Sequence, residues 1–272
     1  MIYDCFMFSN ELDIVELRFR ELYDVVDYFV VVEATHCHKG KPKALCFADN
    51  ISRFKPYAEK IRHIIVEDMP LESPDPWVRE NHQRNAIQRG IADAGPSDWI
   101  IVSDADEIPR PSAVLALNTC KYSVVGFHMS FSFFRINFVA TTVESDYVWT
   151  VAYRRGVTLD PQGARNARHL IQNRSLQQGN PGVVGEIRQA GWHLSYMGDE
   201  DFVANKIKTF AHQEFNNEQI LGSLDIPKFL ASGVDLYNRP GYLWEVTPLT
   251  DFFPKTIVQN QREFSLLIAP WG

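Results

Sequence analysis

Two phosphate-binding signatures are missing from this chain. No Gly-x-Gly-x-x-Gly follows the first apolar segment, and there is no Walker A sequence. Dinucleotide binding of the usual kind and P-loop chemistry are therefore disfavoured. Positive charge is also in deficit, with 27 Lys and Arg against 34 Asp and Glu and a formal charge of −7. A general grip on nucleic-acid backbones is unlike such a chain, although a local basic cluster can still hold a diphosphate. No apolar run reaches the length of a membrane span. The opening Met-Ile-Tyr-Asp-Cys-Phe-Met-Phe has no basic n-region, so it does not read as a signal peptide. The expectation is a cytoplasmic protein with no integral membrane segment. Cysteine is scarce, at Cys5, Cys37, Cys46 and Cys120, and His36-Cys37-His38 with Cys46 matches no usual zinc spacing.

What remains is ordinary globular material: 272 residues, 45% hydrophobic and 12% aromatic. Strand and helix patterns alternate over the first hundred residues. Ile2 to Phe8 reads as a strand, followed by a helix capped by Ser9 or Asn10 and running to about Leu22. Val25 to Glu33 and Ile61 to Val66 are further strands, and three prolines make Asp68 to Pro76 a loop. Trp77 to Ala94 reads as one helix, with Ile87, Ile91 and Ala94 on its apolar stripe. This alternation predicts a three-layer α/β sandwich with a mainly parallel sheet. After Pro111, Val124 to Ile136 and Tyr147 to Tyr153 suit antiparallel additions. Residues 162–185 carry little periodic signal and read as a polar flap over the site. Ala190 to Tyr196 is a strand, and Asp199 to Ala211 and Asn217 to Ala231 are helices. One domain is expected over residues 1–272, with residues 1–111 as its nucleotide and metal half and 112–272 as its acceptor half.

The most informative stretch is Asp98-Trp-Ile-Ile-Val-Ser-Asp-Ala-Asp-Glu-Ile-Pro-Arg-Pro. Trp99 to Val102 is a buried-strand pattern that ends in Asp104, Asp106 and Glu107, and Pro109 and Pro111 stop further pairing. Side chains two apart in extended backbone point the same way, so Asp104 and Asp106 can converge on one cation. Ligands of open α/β sheets bind beyond the carboxyl ends of strands. A Mn²⁺ or Mg²⁺ ion bridging a substrate diphosphate takes one or two carboxylates there; the alternative is a solvated acidic turn. Glu107 is held as a donor-site residue beside the metal strand. Glu33, ending the second strand, can accept hydrogen bonds from a base or ribose, or be a plain strand-end carboxylate. Arg84 and Asn85 can lean toward a donor phosphate or sugar, Arg84 having a planar fork that matches phosphate oxygens; the alternative for Arg84 is a helix-stabilising pair with Glu80. Lys206, preferred over Lys208, can hold the diphosphate.

These residues resemble glycosyltransferase family 17. The resemblance rests on the Asp-Ala-Asp-Glu-Ile-Pro block, on Phe127-His128-Met129, and on Gly191-Trp192-His193-Leu194-Ser195. Supporting matches are Tyr3-Asp4-Cys5-Phe6 with Asn10-Glu11-Leu12, the Val-Val-Glu ending at Glu33, and Arg79-Glu80-Asn81-His82-Gln83-Arg84-Asn85. It spans roughly residues 1–260 and implies a GT-A-type fold and an inverting, metal-dependent sugar transfer. The donor it implies is UDP-N-acetylglucosamine, the partner a glycan acceptor. It adds Arg79 to the donor site and His193 to the metal ligands, against the alternative of a core histidine beside Trp192. Inversion calls for a general base, and Glu107, Glu144, Asp146, Asp199, Glu200, Asp201 and Glu214 are all candidates. The acceptor side is sought near the flap or among Phe131, Phe133, Phe134 and Trp149. Competing readings are a sugar nucleotidyltransferase, which would want a Gly-rich basic loop where Ser9-Asn10-Glu11-Leu12 stands, and an inactive sugar-binding protein.

Overall fold

The computed structural model describes residues 1–141, 146–176, 182–210 and 212–271. Among the described residues ten strands form one sheet: β1 Ile2–Phe8, β2 Tyr28–Ala34, β3 Ile61–Val66, β4 Trp99–Asp104, β5 Glu107–Pro109, β6 Val124–Phe133, β7 Phe138–Ala140, β8 Tyr147–Arg154, β9 Val184–Ser195 and β10 Trp244–Val246. The order is β10-β7-β6-β8-β4-β1-β2-β3, with β9 beside β6 and β5. The run β3-β2-β1-β4 is parallel, as its helical crossovers require. β8 joins β4 and β6 antiparallel, while β9 runs parallel to β6. The α/β class and the antiparallel additions are as the sequence predicts.

Alternation along the strands separates two cores and so makes three layers. Phe6, Phe8, Phe29, Val31 and Ile101 face the helix Leu12–Leu22, where Val15, Leu17 and Phe19 are buried. Tyr3, Cys5, Val30, Val32, Ile100 and Val102 face Ile87, Ile91, Ala164 and Ile171 on the other side. A third, aromatic cluster around Phe131, Phe133, Phe138 and Trp244 packs under the helices Glu200–Thr209 and Ile226–Ser232.

Several expectations need correction. The segment expected to be a flap is the helix Pro161–Gln172 followed, from Val184, by β9; residues 177–181 lie outside the described set. Asp160 caps this helix through the Gly163 N–H, Pro161 sits in its first turn, and Ala164, Ala167 and Ile171 bury one face. The single helix over Trp77–Ala94 is two, Pro76–Asn85 and Ile87–Gly90. Gly90 presses onto β2, where a Cβ would lie 2.4 Å from Val30 Cγ1. The single helix over Asn217–Ala231 is also two, Glu218–Gly222 and Ile226–Ser232, because Asp225 starts a new cap. The first helix begins at Leu12 without a side-chain cap; Glu11 instead accepts the N–H groups of Ser9 and Asn10 at 3.1 and 3.0 Å. The strand expected from Val25 starts at Tyr28, because Val25 and Val26 close a turn onto the Leu22 carbonyl.

Candidate active site

A cavity of about 800 Å³ opens beyond the carboxyl ends of β1 and β4. Its floor is the acidic turn Asp104–Glu107. Helix Pro76–Asn85 contributes Glu80 and Arg84, helix Pro161–Gln172 contributes Arg165 and Arg168, and helix Glu200–Thr209 contributes Lys206. Phe131, Phe133, Trp149, Tyr196 and Tyr237 make an aromatic wall. Both halves of the chain therefore meet at this one place.

Each of the three acids is paired with at least one cation. Asp104 accepts from Arg84 Nη2 at 3.2 Å and from Arg165 Nη2 at 2.5 Å, on different carboxylate oxygens. Burial acts to raise its pKa, but Arg165, Arg84 and Arg168 together hold it well below the usual carboxylate range. Asp106 accepts from Lys206 Nζ at 2.9 Å, across 100 residues of sequence. Burial opposes the charge on Lys206, yet Asp106 and Glu11 overcome it and raise the Lys206 pKa. Glu107 is 0% exposed. Its carboxylate takes two bonds from Arg165, at 2.6 and 2.8 Å, and the Asp104 N–H at 3.1 Å. Burial dominates there and pushes its pKa up, with Arg165 opposing. The Arg165 guanidinium thus ties two acids of the turn together and also reaches the Trp149 carbonyl.

The strand pairing that delivers His193 depends on Gly191. β5 and β9 pair as Glu107 with His193 and Pro109 with Gly191. A Cβ on Gly191 would lie 2.3 Å from the Ile108 carbonyl oxygen and 2.9 Å from Met129 Cε. His193 stacks on Phe131, with ring centroids 4.6 Å apart, and meets Trp149 edge-on at 4.1 Å. Its Nε2 lies 3.8 Å from Asp106 Oδ1, and its Nδ1 is buried without a hydrogen-bond partner. Burial lowers its pKa to about 4 despite Asp106, so the ring is neutral near pH 7. Lys43 Nζ, Trp149 Nε1, Arg168 Nη1 and Arg84 Nε are likewise buried without a hydrogen-bond partner and on residues that line this cavity. Buried polar atoms are rarely left unmatched, and five around one cavity mark a place built to receive a polar ligand.

No group of three or more His, Cys, Asp or Glu side chains among the described residues converges as a ready-made metal cage. A Mg²⁺-type ion does not need one, since it uses one or two carboxylates, water and substrate phosphates. The Asp106 oxygen facing His193 and the neutral His193 ring suit such an ion, because a ligating imidazole must be unprotonated. Both Asp104 oxygens are engaged by arginine.

The family model for glycosyltransferase family 17 matches residues 1–255. The chain belongs to glycosyltransferase family 17. It is 33% identical over 116 residues to the β-1,4-mannosyl-glycoprotein 4-β-N-acetylglucosaminyltransferase of Homo sapiens, covering 40% of this chain and 22% of that protein. The enzyme of the same name from Rattus norvegicus matches to the same extent. The chain thus spans about a fifth of the length of these curated relatives. Among solved structures, it is similar to the inositol-1-phosphate CTP transferase from T. maritima, with a TM-score of 0.38 and 10% identity over 98% of both chains. It is also similar to the 2-C-methyl-D-erythritol 4-phosphate cytidylyltransferase of Francisella tularensis, with a TM-score of 0.35 and 12% identity over 68% of this chain and 89% of that one.

In this family 17 chain the cavity gathers Asp104, Asp106, Glu107, Arg84, Lys206 and His193. Three other residues expected at the donor site do not line it. Glu33 is fully buried; its carboxylate takes the Phe47 N–H at 2.8 Å and the Ala48 N–H at 3.3 Å and lies 3.1 Å from His63 Nε2. Arg79 ties the loops before its helix, bonding the carbonyls of His38 and Ser73. Asn85 braces the helix Pro161–Gln172 by accepting the Gln162 N–H at 2.9 Å. Among the described candidate bases, only Glu107 lines the cavity. Asp199 caps a helix, Glu200 accepts the Ile226 N–H, Asp146 pairs with Arg188, Glu214 pairs with His212, and Asp201 is exposed. Glu144 lies outside the described residues. No helix among the described residues is long and apolar enough to cross a membrane. Reading the sequence missed Arg165 and Arg168. Their signal was the Asp160-Pro161 helix start, after which arginines three apart share a helix face.

Proposed function

We propose that this chain is a metal-dependent, inverting glycosyltransferase that moves N-acetylglucosamine from UDP-N-acetylglucosamine to a hydroxyl of a glycan acceptor. The observation that carries this reading is the meeting of the Asp104–Glu107 strand end with Arg84, Arg165, Lys206 and His193 in one cavity of a family 17 chain. The relatives' names, which specify N-acetylglucosaminyl transfer, support the choice of sugar.

Charge supports the need for an ion. Lys43, Arg84, Arg165, Arg168, Lys206 and Arg239 line the cavity against Glu11, Glu80, Asp104, Asp106 and Glu107. Glu33 lies 3.9 Å behind Lys43, and Asp235 is bonded to Arg239 at 2.6 Å. The cavity is thus close to neutral, and a diphosphate entering it needs a counter-charge. Asp106 and His193 would hold Mn²⁺ or Mg²⁺, with Asp104 joining directly or through water; such an ion neutralises charge developing on the leaving diphosphate. Arg84, Arg168 and Lys206 orient phosphate oxygens. Glu107 works from below, fixing Arg165 and the Asp104 N–H, which keeps the acidic turn in shape. Residues 1–111 supply the three acids and Arg84, and residues 112–272 supply Arg165, Arg168, Lys206 and His193 together with the aromatic wall against which an acceptor sugar face can lie.

The test is a donor screen. Nucleotide sugars are incubated with the protein and Mn²⁺, and released nucleoside diphosphate is scored. UDP release from UDP-N-acetylglucosamine, with calorimetric preference for UDP over GDP, is expected. A preference for GDP overturns the donor, and transfer undiminished in excess chelator overturns the metal.

A further inference from the structure

The cation partners of the acidic turn raise a question that the proposed function leaves open. Asp106 is offered to a metal, yet Lys206 Nζ already sits on it at 2.9 Å, with Glu11 3.6 Å away. Asp104 is offered too, yet Arg84 and Arg165 hold both its oxygens. A carboxylate already neutralised by an ammonium or guanidinium is a poor ligand for a divalent ion, because the resident cation repels the incoming one.

Resting on the proposed function, we infer that Lys206 and Arg84 are stand-in cations. In the ligand-free protein they keep a divalent ion out of the acidic turn, and they release it only when a diphosphate gives them new partners. Lys206 then exchanges Asp106 for a phosphate oxygen, and Arg84 exchanges Asp104 in the same way. Metal and nucleoside diphosphate therefore bind with strong mutual dependence, and the ion is admitted with the donor rather than before it.

Three observations carry this beyond the acidic cluster itself. Lys206 comes from a separate helix of the C-terminal half, anchored by the buried Val203 and Ile207, so its contact with Asp106 is a tertiary choice and not a local accident. Its amine also lies 5.4 Å from the Tyr196 ring centroid, an aromatic face on which a lysine can pivot without losing all stabilisation. Finally, His193 Nδ1 is buried without a partner beside this pair, on a residue 9% exposed, so the constellation is incomplete without a ligand.

The experiment measures Mn²⁺ binding directly, by the electron paramagnetic resonance signal of the free ion, with and without UDP. The wild-type protein is expected to bind Mn²⁺ at least 10-fold more tightly when UDP is present. Lys206→Gln is expected to bind Mn²⁺ at least 5-fold more tightly than wild type without UDP, and to show less UDP dependence. Lys208→Gln removes the same charge from the exposed face of the same helix and should behave as wild type. Arg84→Gln tests the Asp104 arm and keeps the inference refutable if Lys206→Gln does not fold. Equal Mn²⁺ affinity with and without UDP overturns the inference, as does a Lys206→Gln affinity no tighter than that of Lys208→Gln. Either result with UDP binding intact leaves the proposed function standing, whereas a failure of UDP to bind under every condition overturns both.

Discussion

Replacing Arg165 by leucine removes the group that links Asp104 to Glu107. Glu107 is 0% exposed and would keep only the Asp104 N–H at 3.1 Å, the Thr150 hydroxyl at 3.4 Å and a distant Arg168 nitrogen at 3.9 Å. Removing one partner of a buried ion pair typically costs about 3–5 kcal/mol, because a charge is left buried and uncompensated. The lower end applies here, since part of the hydrogen bonding survives: roughly 3 kcal/mol, or about 6–12 °C in Tm for a chain of this size. The penalty has a pH signature. Burial already raises the Glu107 pKa in the intact protein, and losing Arg165 raises it further. An acid with a raised folded-state pKa holds more protons folded than unfolded between the two pKa values, so stability falls as pH rises through that window. The deficit of Arg165→Leu relative to wild type should therefore be largest at pH 7.5 and shrink toward pH 5, in urea denaturation followed by tryptophan fluorescence. Adding Glu107→Gln to the variant should recover about half the loss at pH 7.5 and remove its pH dependence. A single variant within about 1 kcal/mol of wild type at pH 7.5 would refute the reasoning, because Glu107 would then not depend on Arg165.

Three further outcomes follow from the same geometry. His193 is held neutral with a pKa of about 4 against an ordinary value of 6.5, so it favours the unfolded state as pH falls through that interval. His193→Asn should lose less stability than wild type between pH 6.5 and 4.5, by roughly 2–3 kcal/mol, and parallel pH curves for the two proteins would contradict this. Gly191→Ala should destabilise by about 1–3 kcal/mol, since its new methyl would have to push the Ile108 carbonyl and break the β5–β9 pairing; an unchanged melting temperature would rule that out. Asp106→Ala should abolish Mn²⁺-dependent UDP binding by calorimetry while leaving the circular dichroism spectrum unchanged, and retained binding would remove Asp106 from the metal site.

The N-terminal half was legible because its signals are local. Apolar runs such as Tyr28–Ala34 and Trp99–Val102 announce buried strands, and the acids at the end of β4 follow from period-two geometry. The helix Pro161–Gln172 was hidden by Gly163, Asn166 and two arginines, which look like loop material until Ala164, Ala167 and Ile171 are placed on one face. Arg165 was illegible for a deeper reason. A buried arginine is justified only by the carboxylates it meets, and those lie 58 and 61 residues away. Glu33 failed in the opposite direction: its place at a strand end was right, but the Phe47 and Ala48 N–H groups had already claimed it.

The spacing of the ion pairs also orders the synthesis of the chain. Asp104, Asp106 and Glu107 leave the ribosome before any downstream partner: Arg165 follows about 60 residues later and Lys206 100 residues after Asp106. β4 similarly waits for β8 before it gains its second neighbour. Until then only Arg18, bonded to the carbonyls of Asp104, Ala105 and Glu107, and Arg84 can moderate three close negative charges. The acidic turn thus gains its Arg165 and Lys206 partners only after the whole N-terminal half has been made. Pairing this non-local is slow to form, so a ribosome stalled before Tyr147 presents a β-sheet with an open β4 edge, the kind of edge that chaperones bind and other chains pair with.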